Sequence, residues 1–193
     1  MARHKEFSKE AALQQAMLLF WKKGFSRTSM QDLTEAMGLS RSSIYDSFEN
    51  KEKLYADALE LYAYQKSQKR INFVASLQAN GKEKIILLFN DMIDGLYATT
   101  SPDGCLLTDS VGILPSVDAS IHAFVTEQFA SVRELYGELV ALGKRDGSIT
   151  SSLSNESLSF MLFNLHESTI VLGSVGDNDQ EQRQLIQNFM DML

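Results

Sequence analysis

The sequence predicts an all-α protein. Apolar residues recur at helical spacing in nearly every segment, and no stretch of useful length alternates as a half-buried strand does. Only two prolines, Pro102 and Pro115, interrupt the 193 residues, both near the middle.

Each helix can be placed from its own chemistry. The first is expected from about Ser8, an N-cap, to Lys23, with Ala12, Ala16, Leu19 and Phe20 buried and Gly24 closing it. In "TSMQDLTEAMG", Thr28 and Gln31 have the spacing of a capping box; Leu33, Ala36 and Met37 face inward, and Gly38 supplies the turn. Ser40 then caps a helix of about two turns. Asn50 caps a long fourth helix with Leu54, Ala58, Leu59 and Tyr62 inward and Phe73 and Leu77 further along. That helix is expected to stop at "ANG", with Gly81 as the left-handed residue.

Beyond residue 81 the apolar stripes widen. "KEKIILLFNDMIDGLYA" is apolar at 85, 88, 89, 92, 93, 96 and 97. "TTSPDGCLLTDSVGILPS" is broken by Gly and Pro and holds one short helix starting near Cys105. Residues 118–143 form a helix roughly 40 Å long at 1.5 Å per residue, striped by Ile121, Phe124, Val125, Phe129, Val132, Leu135, Tyr136, Leu139 and Leu142. Asn155 is the expected cap of "ESLSFMLFNLHESTIVLG", which is apolar almost all round. A final helix carries Leu185, Ile186, Phe189, Met190 and Leu193. Two such helices at the end predict a homodimer seam, the alternative being that they complete a monomeric core.

Composition narrows the function classes. The chain has a net charge of −7, but residues 1–53 hold nine Lys/Arg against seven Asp/Glu, and the remainder nine against eighteen. A slightly basic head on an acidic body suits a protein that meets an anion at one end. No apolar run approaches a membrane span, the charged "MARHKEFSKEAALQQ" lacks a signal-peptide core, and one cysteine, Cys105, cannot form an internal disulfide. A cytoplasmic protein is expected. Neither His122 nor His166 is followed by a second ligand three or four residues on, so no metal site is expected and no cofactor is implied. No nucleophile and base stand at a readable spacing, which argues against an enzyme.

Residues 28–48 place a capped helix, a glycine-containing turn and a second short capped helix in succession, the helix-turn-helix pattern. Ile44 and Phe48, four apart, pack inward. Arg41, Ser42 and Tyr45 look outward, with Ser43 and Asp46 at the margin. Arginine can bond a guanine edge bidentately and serine reads donors or acceptors, while Thr28, Tyr45 and Lys51 stand where phosphate contact is natural. Asp46 either accepts from a cytosine amine, orients a neighbouring arginine, or points to solvent.

The stretch "FWKKGFSRTSMQDLTEAMGLSRSSIYDSFENKEKLYADAL" resembles the N-terminal domain of the tetracycline-repressor (TetR) family of bacterial regulators. The match runs in register from about Leu13 to Leu59 through Phe20, Gly24, Phe25, Thr28, Leu33, Ala36, Gly38, Ser40, Tyr45, Phe48, Lys51 and Leu54. "GCLLTDS" and "GSITSSLSNESLSFMLF" are similar to body segments of one branch of that family. The resemblance implies about nine helices, a DNA-binding domain over residues 1–53, and a regulatory and dimerisation domain over 54–193 that holds a small-molecule inducer. It implies that Arg41, Ser42 and Ser43 face bases and that Thr28, Tyr45 and Lys51 hold phosphates of a palindromic operator. The expected role is a ligand-responsive repressor.

In the body, Phe89, Met92, Tyr97, Phe124, Phe129, Phe163 and His166 are candidates to line an apolar inducer cavity. Cys105, at the expected start of a helix, adds a redox or electrophile-sensing alternative. A helical adaptor that uses the same hairpin to bind protein is the other alternative.

Overall fold

A computed structural model describes residues 8–98, 104–116, 118–176 and 178–193; Pro102 lies outside them. Among the described residues the chain is helical throughout, in the order α1 (Lys9–Lys23), α2 (Met30–Met37), α3 (Arg41–Phe48), α4 (Lys51–Ser76), α5 (Gly81–Leu96), α6 (Leu106–Ser110), a 3-10 turn (Val111–Ser116), α7 (Ala119–Asp146), α8 (Asn155–Ser174) and α9 (Asp179–Asp191). No helix among them is long and apolar enough to cross a membrane.

Local chemistry sets most boundaries. Ser8, Ser40 and Asn50 cap α1, α3 and α4 by accepting the N–H of Ala11, Ser43 and Lys53. Gly24 ends α1 at φ 79° and Gly38 ends α2 at φ 65°, conformations that glycine adopts without a Cβ clash.

Three cap expectations are corrected. Ser29, not Thr28, caps α2, and its capping-box partner is Asp32, not Gln31. Ser154, not Asn155, caps α8. Gly81 is no left-handed stop: α4 already ends at Ser76, Asn80 caps α5, and Gly81 is the first residue of α5. A Cβ on Gly81 would sit 2.1 Å from the Gly143 backbone nitrogen, so glycine is needed there for the close approach of α5 to α7.

Two buried clusters hold the helices. The first joins Phe20, Leu33, Ile44 and Phe48 of α1–α3 to Leu54, Tyr55, Ala58, Leu59, Tyr62 and Ala63 of α4, and takes in Leu106, Leu107, Ile121 and Val125 from the body. Phe20 meets Tyr55 edge-on at 5.0 Å. The second joins Ile85, Leu88 and Phe89 to Tyr136, Val140, Leu158, Leu162, Ile186 and Met190. Each fully buried Leu, Ile or Phe contributes about 1.5–3 kcal/mol. Because α4 supplies the floor of the first cluster and runs on beside the body, it ties the N-terminal helices to the rest.

Part of the final helix is covered and part is not. Ile186, Met190 and Leu193 are buried, and the Leu193 carbonyl accepts from the Thr150 and Ser151 N–H groups at 2.7 and 2.9 Å. Phe160, Met161, Val171 and Leu172 of α8 and its C-cap Val175, with Leu185 of α9 and the neighbouring Met192, remain exposed.

Candidate nucleic-acid interface and body cavity

The α2–α3 pair is built to present one edge of α3. Asp32 accepts from the Ser29 N–H at 2.7 Å and from Lys23 Nζ. The Lys23 hydrogen bond, with those from Ser29, holds its carboxyl well below the usual carboxylate range. Gly38 turns the chain, Ser40 caps α3, and Ile44 and Phe48, each 1% exposed, fix which way the helix faces. Arg41, Ser42, Tyr45 and Asp46 are left in solvent. Arg41 Nη2 donates to Tyr45 Oη at 3.3 Å and the guanidinium lies 5.6 Å from the ring centre, so the two form one pre-aligned unit.

The serines differ. Ser40 Oγ lies 2.9 Å from Ser42 Oγ and 2.8 Å from Ser43 Oγ, and Ser43 is half-buried whereas Ser42 is exposed. Ser42 is the freer of the two to reach a base. Glu49, at φ 65°, is the one non-glycine residue with positive φ among the described residues, and it bends the chain from α3 into Asn50 and α4.

Lys51 is half-buried in the first turn of α4, its Nζ 4.3 Å from the centre of the Phe25 ring. Burial pulls its pKa down, partly opposed by Glu52 and Asp32. No carboxylate lies within 4 Å of it among the described residues. A cation beside the positive end of a helix is held against the dipole, and a phosphate arriving there would relieve both.

Thr28 is turned away. It is 1% exposed and its hydroxyl donates to the Gly24 carbonyl at 2.7 Å. The expected phosphate contact of that hydroxyl is therefore corrected to an internal tie between the end of α1 and the start of α2.

Residues 12–58 match the family model for bacterial regulatory proteins of the tetR family. Over that stretch the chain is similar to the tetR family. Among curated proteins it is 28% identical over 147 residues to the HTH-type transcriptional repressor ComR of Escherichia coli (strain K12), covering 71% of this chain and 70% of that one. It is 30% identical over 112 residues to the uncharacterized HTH-type regulator YezE of Bacillus subtilis (strain 168), covering 57% of this chain and just over half, 56%, of that one. Among solved structures, a cysteine mutant of the TetR family regulator CifR complexed with 26bp double-strand operator DNA superposes with a TM-score of 0.84 at 21% identity, covering 98% of both chains. Reduced NemR of E. coli does so at 0.82 and 16% identity, covering 93% of this chain and 94% of that one. At these identities the solved structures establish the tetR fold.

In the body, the expected inducer residues do not converge. Met92, Cys105 and His166 line one cavity of about 100 Å³, with Trp21, Tyr62, Lys66, Lys69, Arg70, Asp91 and several apolar side chains around them. Phe89 instead is fully buried, stacked on Tyr136 at 5.4 Å, and is plain core. Tyr97 caps the end of α5 and is 36% exposed, away from the cavity. Phe124 lines an open groove between α4 and α7 with Glu49, Glu52, Glu60 and Asp118. Phe129 and Phe163 pack on each other at 5.8 Å along an outer groove of α7 and α8. These five are corrected from cavity lining to core or surface, because a shared apolar stripe fixes a helix face and not what that face meets.

His166 is buried, and its Nδ1 lies 2.9 Å from Tyr136 Oη. Burial, helped by the nearby Arg70 charge, pushes its pKa down to about 3. Cys105 stands at the start of α6, a helix of five residues, and shares the cavity wall with Tyr62. Among the described residues no cluster of three or more His, Cys, Asp or Glu could hold a metal ion.

Sequence reasoning missed Trp21 and the basic residues of the cavity. The signal was "YQKSQKR", which puts Lys66 and Arg70 one and two turns after the buried Tyr62 on the same face of α4.

Proposed function

We propose that this protein is a tetR-family, ligand-responsive transcriptional repressor and not an enzyme, acting in the cytoplasm as a homodimer on a palindromic operator. The observation that carries the reading is the outward edge of α3, where Arg41, Ser42 and Tyr45 stand exposed on a helix locked by Ile44 and Phe48, with the carboxylate-free Lys51 beside them. CifR, a relative in fold, was solved with operator DNA. Residues 1–53 serve as the DNA-binding domain and 54–193 as the regulatory and dimerisation domain, with the first turns of α4 giving the head its floor.

Arg41 and Ser42 face bases, with Ser43 behind them, and Tyr45 and Lys51 hold phosphates. Two protomers join through the exposed apolar faces of α8 and α9 and set their α3 helices about 34–36 Å apart, one turn of DNA. An inducer in the body releases the operator only by binding more tightly to the conformation that cannot span both grooves.

The test is a titration of DNA from upstream of the protein's own gene across a salt series. Lys51→Ala weakens binding to every sequence and reduces the salt slope by about one, whereas Arg41→Ala also relaxes preference at one base pair by about 1–3 kcal/mol. Unchanged affinity of Lys51→Ala at all salt concentrations would remove the phosphate assignment. Absence of any DNA binding at low salt would favour a protein-binding adaptor.

A further inference from the structure

The cavity between α1, α4, α5, α6 and α8 is electrostatically unlike the body that contains it. Three cations, Lys66, Lys69 and Arg70, line it against one carboxylate, Asp91, in a segment where acidic residues outnumber basic ones two to one. Lys69 is paired with Asp91 at 3.2 Å. Lys66 and Arg70 are half-buried, and neither has a carboxylate within 4 Å among the described residues. Glu167, which Arg70 feels electrostatically, accepts a hydrogen bond from Thr108 at 2.9 Å.

Lys66 is held over the rings of Trp21 and Tyr62, at 4.9 and 5.5 Å from their centres. Burial lowers its pKa, partly opposed by Asp91, because its charge is held away from water. Trp21 supplies a second unmet need: its Nε1–H is buried with no hydrogen-bond partner among the described residues. The polar groups left wanting are thus all donors. The rest of the lining is apolar, with Leu88, Met92, Leu96, Leu107 and Ile170.

We infer that this cavity binds a small organic monocarboxylate, whose charged end lies between Lys66 and Arg70 within reach of Trp21 Nε1–H and whose apolar end packs on Met92, Leu107 and Ile170. The inference rests on the proposal that the body is a ligand-binding unit, and it names the chemical class of that ligand. A cavity of about 150 Å³ accommodates benzene, so about 100 Å³ with a partly open mouth limits the apolar end to a single ring or a short chain. Trp21 belongs to α1 and the two cations to α4, so one carboxylate would join the DNA-binding head to the body at the point where they meet.

Trp21 is the one tryptophan in the chain, so its fluorescence reports this cavity without DNA. The full-length protein is titrated with benzoate, hexanoate, benzamide and inorganic phosphate. Saturable change with benzoate or hexanoate is expected, with benzamide weaker by about tenfold or more. Lys66→Met and Arg70→Met should each weaken carboxylate binding about tenfold, while Lys66→Arg retains it, circular dichroism confirming that all three are folded. Equal binding of benzamide, saturation by phosphate alone, or no saturation by either carboxylate up to about 10 mM would overturn the assignment. Carboxylate binding in a protein that fails to bind DNA would instead leave the cavity assignment standing and remove the repressor reading.

Discussion

His166 should make the fold acid-sensitive in a calculable way. It is buried against Tyr136 with a pKa pushed down from the ordinary 6.5 to about 3, by burial first and by Arg70 second. The unfolded imidazole takes a proton below about 6.5, while the folded one stays neutral until about 3. Its effect on stability is therefore absent above pH 6.5 and becomes an increasing loss as pH falls through that window. At pH 5.0 the gap is about 1.5 units, and at about 1.4 kcal/mol per unit the loss is about 2 kcal/mol. Urea unfolding of the wild type and of His166→Gln at pH 7.5 and pH 5.0 isolates this, since the carboxylates common to both proteins largely cancel. The variant should be less stable at pH 7.5, having lost the fit around the 2.9 Å contact with Tyr136. It should lose about 2 kcal/mol less than the wild type between the two pH values. Equal losses in the two proteins would show that His166 titrates normally in the fold and would refute the reasoning.

Gly81→Ala should lower the melting temperature, because its Cβ would meet backbone atoms of Gly143 at 2.1 and 2.4 Å. The expected cost is about 1–3 kcal/mol by denaturant unfolding. Thr28→Val should destabilise by about 1 kcal/mol through loss of the bond to the Gly24 carbonyl; with the protein still folded, its operator affinity should stay at the wild-type level. Leu172→Glu, placed in the exposed stripe of α8, should convert a dimer to a monomer in sedimentation and leave the unfolding midpoint of the isolated protomer nearly unchanged.

The helical architecture and the α3 edge were legible because both rest on local chemistry. Ser40, Asn50, Gly24 and Gly38 act on backbone groups within four residues, so one stretch of sequence contains cause and effect. Where two cap-competent residues are adjacent, as at Thr28–Ser29 and Ser154–Asn155, local pattern cannot choose between them. The choice at α2 came from the Asp32 carboxylate and from the burial of Thr28 under Gly24. Gly81 suits either a left-handed stop or a close approach, and the second requires Gly143, on a different helix. The body cavity was the least legible part. Its walls come from five helices, and Lys66 and Arg70, read along α4 alone, look like solvated charges until Trp21 and His166 are brought against them.

The measurement that bears most directly on the repressor assignment is a cleavage footprint of the protein on DNA upstream of its own gene. Two protected blocks related by a twofold axis are expected, their centres about one helical turn, 34–36 Å, apart, and both should fade together with Arg41→Ala. A footprint of a single unsymmetrical block, or protection that survives Arg41→Ala unchanged, would contradict recognition through paired α3 helices.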